Sequence, residues 1–177
     1  MQTLSQLSAI IEGELGKIAY PNSPQKLYQP IDYVMGLGGK RMRPILLLMA
    51  HQLFDENIEK SISPALGIEV FHNFTLLHDD IMDNAPIRRG QQTVHEKWDN
   101  NVAILSGDTM LVQAYKLLID VDKSILKEVL AIFNKAATEV CEGQQWDMDF
   151  ETQENVQLSD YMKMIENKTA VLLAASL

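Results

Sequence analysis

Apolar residues recur along this chain mostly at the 3.6-residue spacing of an α-helix. Segments of alternating polarity bounded by Asn-Gly or Asp-Gly, which would indicate β-hairpins, do not occur. All six prolines lie at or before Pro86, so none interrupts a helix in the second half of the chain. The pattern therefore predicts an all-α protein, a bundle of long antiparallel helices.

The positions of proline and glycine place the predicted helices along the chain. Residues 102–119 are apolar almost all the way round, so we expect this helix to be buried among the others, although its surface also suits a subunit interface. No repeat or boundary is visible, which predicts one domain over residues 1–177. The expected helices are 4–18, 31–37 before two glycines, one from about Pro44, one opened by Ser63-Pro64 and running to about Asp83, 102–119, 126–140, and a last one that carries Tyr161.

Charge and composition argue against several classes of function. The chain has 24 acidic and 15 basic residues and a net charge of -9, which disfavours binding to nucleic acid and to anionic membranes. No apolar run is long enough for stable membrane insertion, and the single cysteine excludes an internal disulfide. Since the first basic residue is Lys17, we expect no secretory signal and a cytoplasmic protein.

The segment "HDDIMD", residues 78–83, gathers carboxylates at the predicted end of a helix. Asp79 and Asp83 are four residues apart and share one face, whereas Asp80 points about 100° away. The helix dipole disfavours each of these charges by roughly 0.3–1 kcal/mol. A divalent cation reverses that penalty, and Mg²⁺ is the ion that binds through one or two carboxylates plus substrate phosphates. A solvated acidic surface is the alternative.

Basic residues lie on either side of this acidic segment in an otherwise acidic chain. Arg88 and Arg89 follow the helix-breaking "NAPI", so a loop can return them to the carboxylates, either as phosphate ligands or as a structural salt bridge. The segment "GLGGKRMRP", residues 36–44, combines flexible glycines with three cations at a helix entrance, which suits an anion site. A glycine helix cap followed by surface cations would look the same.

The motifs "GGKRMRP", "HDDIMD" followed by "RRG", "GQQWD" and "KTA" occur in that order across helical spacers. From about Leu27 onward, the chain resembles the trans-isoprenyl diphosphate synthases, the polyprenyl synthetase family. The resemblance implies an isoprenoid-synthase bundle around a deep apolar cavity, Mg²⁺ as cofactor, and a homodimer. It also implies the condensation of isopentenyl diphosphate with an allylic diphosphate.

The resemblance implies roles for individual residues. Asp79 and Asp83 would bind magnesium on the allylic diphosphate, with Asp80 in support. His72 lies seven residues before Asp79, on a similar helix face, which agrees with a place in the same cavity. The other histidines, His51, His78 and His95, are expected to be core residues. The implied catalytic set is Asp79, Asp80, Asp83, Arg88 and Lys168; the set for isopentenyl diphosphate is Lys40, Arg43, His72 and Arg89; the set for the allylic diphosphate is Arg88, Gln144, Asp147, Lys168 and Thr169.

The implied reaction is a chain elongation. Cations stabilise the departing diphosphate while an allylic carbocation forms in an apolar, water-excluding pocket. The double bond of isopentenyl diphosphate then attacks, and the resemblance implies that the released diphosphate takes the proton.

Product length is expected to depend on the same helix. Thr75, Phe74 and Phe71 precede Asp79 by four, five and eight residues, hence by roughly 6 to 12 Å along the axis. In similar synthases a bulky residue at the position of Phe74 forms a floor, so we expect geranylgeranyl or farnesyl diphosphate, with the former preferred. Core packing is the alternative for both phenylalanines.

One departure from the family pattern is important. The family carries a second aspartate-rich motif beyond "KTA", whereas this sequence has no second Asp-Asp pair. The apolar pattern is also still running at the final "KTAVLLAASL". We therefore expect an N-terminal portion of a synthase that is inactive, or nearly so, by itself.

Three other functions fit part of the pattern. A terpene cyclase would use the acidic motif but has no need of two basic segments. A metal-dependent phosphohydrolase built on His78-Asp79 would need more histidine ligands than four scattered histidines supply. A non-catalytic regulatory subunit that binds diphosphate or a partner synthase would explain the absent second motif.

Overall fold

The computed structural model describes residues 2–177. The chain is helical almost throughout, which confirms the all-α prediction, with one two-residue antiparallel hairpin between α4 and α5. The elements are α1 (Leu4–Leu15), α2 (Gln25–Gly36), α3 (Met42–His51), α4 (Glu59–Met82), β1 (Ile87–Arg88), β2 (Gln91–Gln92), α5 (Val94–Lys97), α6 (Asn100–Leu118), α7 (Leu126–Phe150), α8 (Leu158–Ile165), a π-helical turn (Glu166–Ala170) and α9 (Val171–Ala174).

Helix α4 is the central element of the packing. It packs most extensively against α6, and also contacts α3, α1, α2 and α5. Phe71 and Val70 of α4 are almost completely buried, in one cluster with Met110 and Leu118 of α6 and Phe133 of α7. Burial of each such side chain stabilises the fold by roughly 1.5–3 kcal/mol. The length and burial of α4 hold its C-terminal end in a defined position.

Several helix boundaries differ from the sequence prediction: α1 ends at Leu15 and α7 continues to Phe150, and two further differences lie at prolines. Helix α4 begins at Glu59, so Pro64 lies inside the helix and not at its first turn. A proline there removes one backbone hydrogen bond, but burial of Pro64 and the bond from the Ser63 hydroxyl to Leu117 O fix this segment against α6. Helix α2 is longer than 31–37 because Pro30 is likewise accommodated within it.

The C-terminal segment is not one regular helix. A π-helical turn over Glu166–Ala170 separates α8 from α9, and it contains Lys168 and Thr169 of the "KTA" motif. Asn167 in this turn is 1% exposed, and the turn packs on α7. The wider turn therefore sets the direction of the lysine side chain toward the neighbouring helix, a feature frequent at functional sites.

Helix α6 is only half buried, which corrects the expectation that its apolar surface lies wholly among the other helices. One side carries Ala103, Met110 and Ala114 into the core. The opposite side exposes Leu105 and Val112. The packing of α4 and α2 on a single side of α6 explains the difference within the described part of the chain. None of the helices in residues 2–177 is long and apolar enough to cross a membrane.

Candidate functional site

The C-terminal end of α4 presents the acidic segment. Asp79 is the fourth residue from the end of the helix, and Asp83 caps it, with Asp83 N–H donating to Asp79 O at 2.9 Å. This bond spans one helical turn, so the two aspartates share one face of α4, as their spacing of four residues predicts. Burial and the nearby charge of Asp79 raise the pKa of Asp83.

Lys168 lies between two carboxylates. Its Nζ is 3.2 Å from Asp79 Oδ1 and 2.5 Å from Asp147 Oδ2. Burial acts to lower the pKa of Lys168, but its hydrogen bond to Asp147 and the charge of Asp79 outweigh this effect and raise it. The predicted lysine, Asp79 and Asp147 are therefore one ionic cluster that joins α4, α7 and the π-helical turn.

Close backbone packing makes this cluster possible. The π-helical turn approaches α7 at Gly143 so closely that a Cβ there would overlap the backbone nitrogen of Lys168 and lie 2.7 Å from its Cα. Any larger residue at position 143 would push the turn away from the helix. The glycine of "EGQQWD" thus brings Lys168 to Asp147, one helical turn further along α7.

Asp80 and Arg88 form a second ion pair at the end of α4, next to this cluster. Arg88 Nε lies 2.8 Å from both carboxylate oxygens of Asp80, and its Nη2 lies 3.5 Å from Asp79 Oδ2. Asp80 is 5% exposed, so this is a partly buried, charge-assisted contact. Of the two roles considered for Arg88, the structure shows the salt bridge to Asp80.

A basic cavity of about 560 Å³ lies where the start of α3 faces α4. Its lining includes Lys40, Arg43, His72 and Arg89, the four residues assigned by resemblance to one substrate. Lys40 forms no ion pair within residues 2–177, and Arg43 Nε is buried without a hydrogen-bond partner. These free donors point to an anion as the missing partner.

Arg89 closes one side of this cavity through the backbone. Its guanidinium donates to Gly38 O and packs against Gly39, where a Cβ would lie 3.0 Å from the Arg89 Nη2 atom. Gly39 also has a φ of 148°, a conformation that side chains disfavour. Gly39 is therefore required both by the turn and by the approach of the arginine.

His72 is a neutral acceptor at the wall of the basic cavity. Burial, reinforced by the charges of Arg43 and other arginines, lowers the pKa of His72 to about 3. Its Nε2 lies 3.2 Å from Arg43 Nη1, so the unprotonated ring can accept a hydrogen bond from the guanidinium. The imidazole orients Arg43 without adding a positive charge.

An apolar cavity of about 380 Å³ adjoins the acidic end along α4. Arg43 and His72 line this cavity as well as the basic one, so the two cavities share a wall. Asp79 and Lys168 lie at its polar margin. The other lining residues include Phe74, Thr75, His78, Met82, Val140, Cys141, Gln144, Thr169 and Leu172.

Aromatic rings close the cavity on the side away from the carboxylates. Phe74 contacts Phe71 with ring centroids 5.5 Å apart, and Phe71 contacts Phe133 at 4.9 Å. Phe133 also lines a larger, mostly apolar cavity of about 550 Å³, into which neither Asp79 nor Asp83 projects. Phe74 is thus at the cavity surface, whereas Phe71 belongs to a deeper layer between the two cavities.

The structure brings most predicted residues to these two cavities. Gln144 lines the apolar one and donates weakly to Met82 Sδ at 3.8 Å. His78, expected in the core, instead lies at the cavity lining, against Phe74 at 4.7 Å. Val140 and Leu172 also line the apolar cavity but were not predicted to do so. Apolar residues at helical spacing have the same sequence pattern whether they face a core or a cavity.

The donor set at the acidic end fits a hard cation that also binds phosphate. Asp79 Oδ1 is buried and has no hydrogen-bond partner, since Lys168 Nζ is near it but outside hydrogen-bonding geometry. Within residues 2–177 no three His, Cys, Asp or Glu side chains converge on one point. The carboxylates therefore suit an ion such as Mg²⁺, which needs only one or two protein ligands when a substrate supplies the others.

Comparison with known proteins agrees with this geometry. The family model described as "Polyprenyl synthetase" matches residues 24–177. A geranylgeranyl diphosphate synthase of Methanosarcina mazei is 40% identical over 171 residues, covering 96% of this chain and 53% of that protein. A geranylfarnesyl diphosphate synthase of Natronomonas pharaonis is 41% identical over 171 residues, covering 86% of this chain and 50% of that protein.

Solved structures give the same result. A crystal structure of a geranylgeranyl pyrophosphate synthase superposes with a TM-score of 0.96 and 46% identity, over 99% of this chain and 54% of that one. This chain therefore spans about half the length of the curated relatives it matches. The extent of the match and its agreement with the two adjoining cavities establish that the chain belongs to the polyprenyl synthetase family.

Proposed function

We propose that this chain carries the substrate-binding half of a magnesium-dependent prenyltransferase that condenses isopentenyl diphosphate with an allylic diphosphate. The observation that supports this most directly is the wall shared by the two cavities. Arg43 and His72 line both a basic cavity suited to a diphosphate and an apolar cavity with the Asp79 carboxylate at its margin. A reaction between two diphosphates with hydrocarbon tails needs adjoining sites of this kind.

In this proposal the basic cavity holds isopentenyl diphosphate. Lys40, Arg43 and Arg89 bind its phosphate oxygens, and neutral His72 holds the Arg43 guanidinium in place. The buried Arg43 Nε without a partner supports the assignment, because a bound phosphate would supply an acceptor for it.

The acidic margin of the apolar cavity holds the allylic diphosphate. Asp79 and Asp83 would bind magnesium there, while Lys168, Arg88 and Thr169 contact the diphosphate and Gln144 and Asp147 flank it. The chemistry supplied by bound magnesium is neutralisation of negative charge on the departing diphosphate. Asp80 supports the site by holding Arg88. The allylic carbon then lies in an apolar environment that excludes water, which favours capture by the second substrate.

The product is expected to be short. The cavity beside the carboxylates has a volume of about 380 Å³ and is closed by Phe74, with Phe71 behind it. We propose geranylgeranyl diphosphate, with farnesyl diphosphate as the shorter alternative. Relatives with nearly equal identity are named for products of different length, so identity by itself does not decide between them.

The assembly and location are also part of the proposal. The exposed apolar side chains of α6 support a homodimer formed through that helix. The single cysteine and acidic charge agree with action in the cytoplasm, in one domain over residues 1–177. The sequence has only one Asp-Asp pair, so we expect residues 1–177 alone to turn over little or no substrate.

The test is incubation of the longest natural form of the chain with isopentenyl diphosphate, an allylic diphosphate and magnesium, followed by chromatography of the products. A longer prenyl diphosphate is the expected result. A cyclised hydrocarbon would instead identify a terpene cyclase, and simple release of phosphate a phosphohydrolase. Binding of both diphosphates without turnover would identify a regulatory subunit, and rapid elongation by residues 1–177 alone would refute the predicted inactivity.

A further inference from the structure

Arg41 has a different environment from the other cations of "GGKRMRP". Its side chain is only 2% exposed, whereas Lys40 is exposed beside it. Nε donates to Glu12 at 3.0 Å, Nη1 to Glu69 at 2.8 Å, and Nη2 to Met35 O at 2.8 Å. All three nitrogens are therefore engaged by protein acceptors on α1, α2 and α4, and Arg41 is not available as a phosphate ligand.

Glu69, the buried partner of Arg41, also binds a second residue. Glu69 has a side chain that is 3% exposed, and its Oε1 accepts from Asn73 Nδ2 at 3.0 Å in addition to Arg41. A carboxylate buried beside an anion-binding cavity would repel a diphosphate if it were unpaired. Glu69 is therefore compatible with diphosphate binding in the basic cavity only while Arg41 neutralises its charge.

The backbone of Arg41 has an unusual conformation at the N-terminus of α3. Arg41 has a φ of 47°, in the left-handed region that is unfavourable for a residue other than glycine. It is also the N-cap of α3, and its carbonyl accepts from Ile45 N–H at 3.2 Å. Its conformation therefore fixes the start of α3 at Met42, between Lys40 and Arg43.

Resting on the function proposed above, we infer that the buried Arg41–Glu69 pair is a positioning device for the diphosphate site. It anchors the loop over residues 38–41 to α4, so that Lys40 and Arg43 reach one diphosphate from either side of a side chain that points into the protein. Arg41 and Glu69 also line the basic cavity, but their charged groups are bound by each other and by other protein groups. They therefore act as positioning residues and not as phosphate ligands.

The test uses variants that separate a positioning effect from a loss of protein stability and from a change in net charge. Replacing one partner, as in Arg41→Met, leaves a buried unpaired carboxylate and is expected to lower the melting temperature. The double variant R41M/E69L removes one charge of each sign, so the net charge is unchanged, and its apolar side chains should restore much of the stability. The matched control is K135M/E139L, which removes an ion pair on α7 between an exposed lysine and a half-buried glutamate and also leaves the net charge unchanged.

Two measurements decide the question on the 177-residue protein. Inorganic pyrophosphate is titrated with EDTA present, so that the aspartates contribute no metal-dependent binding. The double variant should bind it roughly ten- to hundred-fold more weakly than the unaltered protein and the control. Hydrogen exchange of the backbone at residues 38–43 should become faster in the double variant, while the exchange of α4 remains slow.

Different outcomes would refute the positioning role of the pair and the proposed diphosphate site. Pyrophosphate affinity within about two-fold of the unaltered protein, or unchanged exchange in the loop, would overturn the positioning role. If the unaltered protein binds no pyrophosphate, the proposed basic site is refuted, and the exchange data still decide whether the pair orders the loop. Recovery of stability without recovery of binding in the double variant is the result that supports the inference.

Discussion

At the scale of single residues, burial changes the chemistry of side chains that look ordinary in the sequence. His72 is one of four histidines and lies on a helix face, where a core histidine would have the same pattern. Burial, together with the charges of the arginines around it, lowers the pKa of His72 to about 3 and makes it an acceptor for Arg43. His72 therefore contributes to the site as a neutral hydrogen-bond acceptor.

This neutrality predicts a pH dependence of stability. Between the lowered pKa of about 3 and the ordinary value of 6.5, the unfolded chain binds more protons at His72 than the folded chain does. The free energy of unfolding must fall as pH falls through this window, by at most about 1.4 kcal/mol per pH unit from this residue. Solvent that reaches the ring through the cavity reduces that figure.

His72→Gln isolates this contribution, because the amide oxygen can still accept from Arg43 but does not titrate. Urea unfolding at a series of pH values is the measurement. The unaltered protein should lose stability more steeply than the variant between pH 6.5 and about pH 4. Equal slopes would show that His72 is not held neutral by the fold.

At the scale of elements, the site depends on how closely helices approach. The π-helical turn that carries Lys168 contacts α7 at Gly143, where a Cβ would overlap the lysine backbone. This contact, and not the sequence of the turn itself, brings Lys168 Nζ to 2.5 Å from Asp147.

Gly143→Ala is therefore expected to destabilise the protein by about 1–3 kcal/mol, because two backbone segments must move apart. The same change at Gly13, which lies in α1 with no atom within 4 Å of its Cβ position, should stabilise by about 0.5–1 kcal/mol through helix propensity. Denaturant unfolding measures both. Effects of the same sign would contradict the packing at Gly143.

The wall of α4 supplies a second prediction at this scale. Phe74→Ala opens the surface of the apolar cavity as far as the Phe71–Phe133 layer, so products of the longest natural form should become longer. Chromatography of the prenyl products measures this. The control is Phe54→Ala, since Phe54 is 91% exposed and remote from the cavity lining. An unchanged product distribution for the Phe74 variant would reject its role as a floor.

At the scale of the whole molecule, α6 is apolar on two sides. Within residues 2–177 one side is buried in the core and the other is exposed. Ile104, Leu105, Val112 and Ile119 are each between 44% and 58% exposed along one side of the helix. A stripe of large apolar side chains on a helix favours a protein contact over solvent. This feature underlies the proposed homodimer.

Val112→Glu should convert that dimer to a monomer, because a charge would be buried at the centre of the apolar stripe. Sedimentation velocity measures the change. Ile132→Glu is the matched control, since Ile132 is 56% exposed on α7 and Val112 is 55% exposed on α6. A monomeric unaltered protein, or dissociation by both variants, would refute an interface through α6.

Much of this protein follows from local sequence. The 3.6-residue spacing predicts the helices, and a separation of four residues predicts that Asp79 and Asp83 share a face, because both depend only on the geometry of a helix. The boundaries at Pro64 and within the last helix were wrong, since tertiary contacts compensate the lost hydrogen bond and impose the π-helical turn.

The tertiary structure alone decided which charges meet. Arg41 and Glu69 are 28 residues apart and Lys168 and Asp147 are 21 apart, and no helical repeat relates such positions. Arg88 folds onto Asp80, and Arg43 and His72 form a wall between two cavities, because the packing of α3 and the hairpin against α4 brings them together. The sequence by itself determined which residues can carry the chemistry. Their partners depend on long-range packing, which sets the distances and the exclusion of water that give each charge its role.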